Sequence, residues 1–249
     1  MSSGSIQVVG LGPGDSSLMA PSARAAIESA DVILGYKTYL NLIADLAPET
    51  PRQSSGMRKE VERAQEALTL AQDGKQVVVV SSGDAGVYGM AGLLFEVSHE
   101  NEFDVDIEVI PGISALNAAA ALLGAPLMTD FAAISLSDQL VPLEQIANRL
   151  EAATRTDFVL CLYNPKGKQR VEPFKTACQI MLKHRAPQTP VGVVRKAYRP
   201  GQEVLIITLE ELSALDIDML TILIVGNQDT YAKNGKLITP RGYADKYTY

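Results

Sequence analysis

Three glycine-rich turns and two carboxylates are the residues of this 249-residue chain best suited to chemistry. The turns are Gly10-Leu11-Gly12-Pro13-Gly14-Asp15, Ser81-Ser82-Gly83-Asp84-Ala85-Gly86 and Ile110-Pro111-Gly112-Ile113-Ser114-Ala115, and each follows a strand-like apolar run. A glycine turn at the carboxyl end of a strand exposes backbone N–H groups and lets a ligand come close to the chain. Parallel strands would bring all three turns to one sheet edge, so one small-molecule cleft is the economical expectation. Asp15 and Asp138 are carboxylates that could carry a proton. Asp15 fits a helix cap equally well, Asp138 fits a strand end better, and Ser114 also reads as the cap of an alanine-rich helix. Arg58-Lys59, Lys166-Lys168-Arg170 and Arg195-Lys196-Arg199 could grip an anionic ligand. The alternative for each is an ordinary solvated charge.

The first turn by itself leaves the ligand open. A dinucleotide fingerprint needs a third glycine where Asp15 stands and an acid at the end of the second strand, where the chain has Gly35-Tyr36. A Rossmann-type methyltransferase tolerates the glycine spacing, but Val8 stands where an acid is usual and Pro13 removes an N–H donor. A tight turn with no ligand is the third reading.

The elements that must position these turns alternate. Strands are expected at 6–11, 32–35, 77–80 and 105–110, with helices in most of the gaps. The clearest helix runs from about Arg58 to Gln72, with Val61, Ala64, Leu68 and Ala71 on its apolar face and Asp73-Gly74 as its stop. An alanine-rich helix over 114–123 ends at Gly124-Ala125-Pro126, which places a domain boundary there: 1–124 and 125–249. The second half repeats the alternation with strands at 131–136, 158–163, 190–195, 203–208 and 220–225, and a short helix at 209–215. Its closely spaced last strands call for mixed, partly antiparallel pairing. The fold class is therefore α/β, in two domains.

Composition narrows the function. A formal charge of −7 argues against general affinity for nucleic acid. No apolar run approaches the roughly 20 residues of a membrane-spanning helix. The opening Met1-Ser2-Ser3-Gly4-Ser5-Ile6 lacks the features of a signal peptide, so a cytoplasmic location is expected. Cys161 and Cys178 read as buried reduced thiols, and with only His99 and His184 beside them no metal-ligand spacing appears.

The motifs VVGLGPGD (8–15), SSGDAGVYG (81–89), VIPGISA (109–115) and TILIVGN (221–227), in this order and spacing, resemble those of the S-adenosylmethionine-dependent tetrapyrrole methylases over nearly the whole chain. Within that family, the stretches at 35–39, 56–60, 134–138 and 162–165 are similar to the members that methylate C-17 of precorrin-3B, with ring contraction, in cobalamin biosynthesis. The resemblance implies two α/β domains with the donor held between them, a homodimer, S-adenosylmethionine as methyl donor and a tetrapyrrole as substrate. It assigns the donor to Pro13, Gly83, Asp84, Ala85, Val87, Tyr88, Ser114 and Ala115, with Asn164, Ala197 and Ile222 from the second domain. Gly12, Tyr36, Lys37, Met57 and Arg58 fall to the substrate, and Asp15 and Asp138 to proton transfer. Gly167 stands where relatives often have serine, and Tyr198 where glycine is common. A cysteine-rich extension carried by some relatives is missing, so no iron–sulfur cluster is expected. Methyl transfer to carbon is an in-line displacement that chiefly needs alignment and exclusion of water. A polycarboxylate substrate would need local cations on so acidic a chain.

Overall fold

The computed structural model describes residues 4–56, 59–167 and 170–248. The chain separates into two compact units, Met1–Ala115 and Leu116–Tyr249.

The first unit is built on five strands, β1 (Ser5–Gly10), β2 (Val32–Tyr36), β3 (Arg52–Ser55), β4 (Gln76–Ser81) and β5 (Asp106–Ile110), in the order β3-β2-β4-β1-β5. Every pairing in this sheet is parallel. Four helices cover it: α1 (Pro21–Ser29), α2 (Lys37–Leu42), α3 (Glu60–Gln72) and α4 (Ala91–Glu100). The uninterrupted valines of β4 follow from burial on both sides. Val77 and Val79 pack with α3 and α4, whereas Val78 and Val80 pack with α1 and α2. The face that α3 buries is rotated from the expected one. Ala64, Ala67, Leu68 and Ala71 are inside together with Arg63, while Val61 is 52% exposed. Residues 61 and 63 flank the 64/67/68/71 arc on opposite sides, and the side that carries Arg63 is the one packed inward.

The second unit takes in nearly all of α5 (Ala115–Leu123), the helix expected to close the first. A Cβ on Gly192 would meet the Leu123 side chain at 2.4 Å, so this helix lies tight against the second sheet. That sheet contains β7 (Phe131–Ser135), β8 (Val159–Tyr163), β9 (Pro190–Arg195), β10 (Glu203–Thr208) and β11 (Thr221–Val225), in the order β10-β9-β11-β8-β7. Only β7 and β8 pair in parallel, and the other three pairings are antiparallel. Mixing is thus confined to the second unit, as the short connections there require. Helices α6 (Leu143–Arg155) and α7 (Glu172–His184) pack on one face. A small sheet of β6 (Gly124–Ala125), β12 (Tyr231–Lys233) and β13 (Lys236–Ile238), and a terminal helix α8 (Tyr243–Lys246), complete the unit. Burial pushes the Cys161 thiol up to about 12 and the Cys178 thiol up to about 11, which makes both unreactive.

Candidate functional site

In the first unit β1 is hydrogen-bonded to both β4 and β5, and Gly10 pairs with Ser81 while Val9 pairs with Ile110. Because the three strands are parallel and in step, the three glycine turns emerge side by side at one edge. They interlock there. Leu11 donates its N–H to the Ser81 carbonyl at 2.9 Å, and Gly12 and Gly83 exchange N–H···O bonds at 3.0 and 2.8 Å. Gly12 and Gly83 both sit in the left-handed region, φ 73° and 69°, which glycine enters without a Cβ penalty. A Cβ on Gly112 would lie 2.3 Å from the Gly83 carbonyl oxygen and 2.6 Å from that of Gly10. The three backbones are therefore closer than any side chain at position 112 permits.

Around this junction the expected residues divide into buried and open ones. Pro13, Gly83, Ala85 and Ser114 are buried, and Gly12 is buried too, its N–H and C=O both engaged by Gly83. Asp84 accepts from the Gly86 and Val87 N–H groups and from that of Gly112. Tyr88 is 53% exposed at φ 54°, and Ile113 is 39% exposed. A non-glycine residue at positive φ is uncommon and marks a backbone path imposed by its surroundings. Tyr88 and Ile113 thus leave apolar surface open beside the interlock.

The neighbouring strands end on the same edge. Tyr36 closes β2, pairs with Ser55 of β3 and meets Tyr39 edge-on at 5.5 Å, with Lys37 exposed next to it. Met57 and Arg58 lie outside the described residues, as does Lys168 of the second basic cluster. Arg63, which is not on the apolar face expected for its helix, is 4% exposed and reaches this edge. Its Nε donates to Ser55 Oγ at 2.8 Å, and its other nitrogens reach the Ser55 and Gly56 carbonyls and Met90 Sδ. Burial lowers its pKa, as expected for a guanidinium held largely by neutral groups. No sequence signal separated it from the other charged residues of α3.

Asp15 caps the short 3-10 turn Ser16–Leu18, and its Oδ1 accepts from the Ser17 N–H at 2.9 Å and the Ser17 hydroxyl at 2.7 Å. These hydrogen bonds hold its carboxyl below the ordinary value of 3.8. A carboxyl with a depressed folded-state pKa contributes its cap above the unfolded value and loses it as pH falls through the folded one. Asp15 is thus ionised through the neutral range. We expect no ionisation between pH 5 and 8 in the kcat/KM profile to arise from Asp15; an acidic limb in that window that disappears in Asp15→Asn would show the reverse.

In the second unit Asp138, Asn164, Ala197 and Ile222 gather on one edge, past the carboxyl ends of β7, β8 and β9 and at the start of β11. Asn164, at φ 52°, donates from Nδ2 to Ser135 Oγ at 3.0 Å. The Tyr163 hydroxyl accepts from the Leu116 N–H at 3.0 Å, which ties the start of α5 to this edge. Ala197 lies between Lys196 at φ 51° and Tyr198 at φ 55°. Tyr198 therefore adopts the conformation a glycine would take freely. Ile222 is buried in β11, paired with Val194.

Several expected substrate cations are already engaged. Arg170 donates to Ser137 Oγ at 3.0 Å and pairs at 3.2 Å with Asp138, which lies three residues past the end of β7 rather than at a strand end. Arg195 pairs with Asp218 at 2.9 Å and Glu203 at 3.2 Å, Lys166 with Asp216 at 3.7 Å, and Lys59 with Glu62 at 2.8 Å. Among the described residues no group of three or more His, Cys, Asp or Glu could hold a metal ion, and no helix is long and apolar enough to cross a membrane.

The family model for Tetrapyrrole (Corrin/Porphyrin) Methylases matches residues 5–213, which takes in all three glycine turns and most of the second sheet. This chain belongs to the tetrapyrrole methylase family. It is 50% identical over 249 residues to the cobalt-factor III methyltransferase of Priestia megaterium, a match covering 98% of this chain and 46% of that protein. It is 44% identical over 238 residues to the probable cobalt-factor III C(17)-methyltransferase of Salmonella typhimurium, covering 96% of this chain and 99% of that one. The methylase thus spans about half the length of the first relative and nearly all of the second. Its fold superposes on the crystal structure of the methyltransferase CobJ with a TM-score of 0.88 at 39% identity, over 96% of this chain and 100% of the other. A uroporphyrin-III C-methyl transferase from Thermus thermophilus, complexed with S-adenyl homocysteine, matches with a TM-score of 0.72 at 25% identity, over 90% of this chain and 97% of that one.

Proposed function

We propose that this chain transfers a methyl group from S-adenosylmethionine to C-17 of a precorrin-3B-type macrocycle, with contraction of the ring, and that it does so on the cobalt-bearing form, cobalt-factor III. The observation that carries the reading is the interlock of three glycine turns at one parallel-sheet edge, with Tyr88 and Ile113 exposed beside it. The names of the relatives at 50% and 44% identity favour the cobalt-bearing substrate. Metal-free precorrin-3B is the second reading, resting on the stretches at 35–39, 56–60, 134–138 and 162–165.

In this reading Gly83 to Tyr88 and Ser114-Ala115 receive the donor, with Pro13 bordering it. Asn164, Ala197 and Ile222 are assigned to the donor on their motifs alone. The sulfonium methyl is the electrophile, so the protein's work is to hold it in line with a nucleophilic ring carbon in a dry site. Gly12, Tyr36, Lys37, Met57 and Arg58 are assigned to the macrocycle on their motifs alone. Arg170 and Arg195 are engaged in ion pairs, which leaves more of the recognition of substrate carboxylates to Lys37 and Arg58. Asp15, ionised at neutral pH, is a proton acceptor for the contraction step rather than a donor. A homodimer acting in the cytoplasm belongs to the same reading, and sedimentation of the purified chain tests the dimer.

The decisive experiment incubates the protein with methyl-labelled S-adenosylmethionine and, in parallel, cobalt-factor III and precorrin-3B. One methyl at C-17, located by NMR, with turnover on the cobalt form, is expected; no methylated product from either substrate defeats the proposal. Arg58→Ala should raise the KM for the tetrapyrrole about tenfold, the scale of one charge-assisted contact, while sparing donor affinity. An unchanged substrate affinity in a titration would remove Arg58 from the site.

A further inference from the structure

We propose that Asp84 is a positioning residue for the methyl donor: its carboxylate latches the third glycine turn to the second, and it acts on the donor through their backbones rather than by touching it. The inference rests on the donor reading above and changes the role given there to Asp84.

The strand order supplies the reason a latch is needed. Asp84 follows β4 and Gly112 follows β5, and β1 lies between those two strands, so no ladder hydrogen bond can join their ends. The Asp84 carboxylate crosses that gap. Oδ2 accepts from the Gly112 N–H at 3.0 Å, while Oδ1 accepts from the Gly86 N–H at 2.8 Å and the Val87 N–H at 3.1 Å. Gly10, at the end of β1, leaves room for the close approach: a Cβ there would stand 2.7 Å from the Gly112 nitrogen and 2.8 Å from the Gly83 carbonyl oxygen. Three N–H groups converge on this one carboxylate, and hydrogen bonds to a carboxylate are stronger than neutral ones of the same count. Both oxygens are engaged by the chain itself, which takes three of the roughly four acceptor positions a carboxylate offers.

The consequence reaches the donor residues on both sides. The Oδ1 bonds set the path of Gly86 and Val87, and so of Tyr88 at φ 54°. The Oδ2 bond fixes Gly112 two residues before buried Ser114, where α5 begins with Ala115. An aspartate of this reach therefore sets the spacing between the two segments that receive the donor.

Asp84→Asn is nearly isosteric and separates latch from contact. Its amide oxygen can still serve Gly86 and Val87, but its NH2 meets the Gly112 N–H donor to donor. The protein is titrated with S-adenosylhomocysteine and with its 2′-deoxy and 3′-deoxy analogues, and Gly112 amide exchange is followed by NMR. A latch predicts a loss of about tenfold or more in affinity, equal for all three ligands, with faster Gly112 exchange and the larger share of the kinetic loss in the donor KM rather than kcat. A penalty that vanishes for one deoxy analogue would mean that Asp84 binds that hydroxyl, and overturns the proposal. Unchanged affinity with unchanged Gly112 exchange also overturns it. Should Asp84→Asn not fold, Asp84→Glu keeps the charge while its extra methylene displaces Gly112, and the same equal loss across the ligands is expected. Failure of the unaltered protein to bind S-adenosylhomocysteine would instead strike the donor reading itself.

Discussion

Gly112→Ala is expected to reduce donor affinity and turnover together by about a hundredfold or more, because displacements near 1 Å at a reacting centre have effects of that order. The added methyl has nowhere to go. It would lie 2.3 Å from the Gly83 oxygen, 2.6 Å from the Gly10 oxygen and 2.7 Å from the Gly10 carbonyl carbon, all backbone atoms of two other turns. A flexible side chain could swing aside, but backbone held in a parallel sheet cannot do so without moving the turn it belongs to. Overpacking of this kind costs about 1–3 kcal/mol, so the variant should still fold, with its damage concentrated at the sheet edge. Isothermal titration with S-adenosylhomocysteine and a melting curve check both halves. Wild-type donor affinity in a folded Gly112→Ala protein would mean that the third turn takes no part in the site.

Arg185→Ala should do the opposite, lowering stability by about 3 kcal/mol while leaving donor affinity intact. Arg185 is 8% exposed, and its guanidinium donates to the carbonyls of Phe158, Val225 and Gly226, at the start of β8 and the end of β11. Asn164 and Ile222 lie at the other ends of those strands. Removing the side chain leaves buried carbonyls without their charged partner, which costs more than the net value of the bonds. For a chain of this size the melting temperature should fall by roughly 6–12 °C. Burial pushes the Arg185 pKa down to about 10, so the group stays protonated and the loss should be the same at pH 6 and pH 8. A fall of less than about 2 °C would show that the carbonyls find other partners.

Much of the framework was legible because periodicity and punctuation are local. The strand expected at 77–80 appears as Gln76–Ser81, and strands 190–195 and 203–208 appear with the expected bounds. What escaped notice lacked a local signature. Arg52–Ser55 is a polar edge strand with no apolar alternation, and Gly124–Ala125, Tyr231–Lys233 and Lys236–Ile238 are too short to show a period. The boundary expected after residue 124 rested on the Gly-Ala-Pro break, whereas contacts place nearly all of α5 with the second unit. A chain break in sequence need not coincide with a break in packing.

The site divides along the same line. By itself the sequence determined the family, the three glycine turns and their places at strand ends, because motif order and the chemistry of Gly, Pro and Asp are written along the chain. Only the tertiary structure decided that β1 separates β4 from β5, so that the turns interlock across it and Asp84 spans the gap. It likewise decided that Arg63 turns inward while Arg170 and Arg195 are taken up by carboxylates. The physical reason is that a charge or carboxylate has the same local signature whether it meets water, a ligand or a backbone N–H. Its partner is set by strand order, and strand order is a property of the whole sheet.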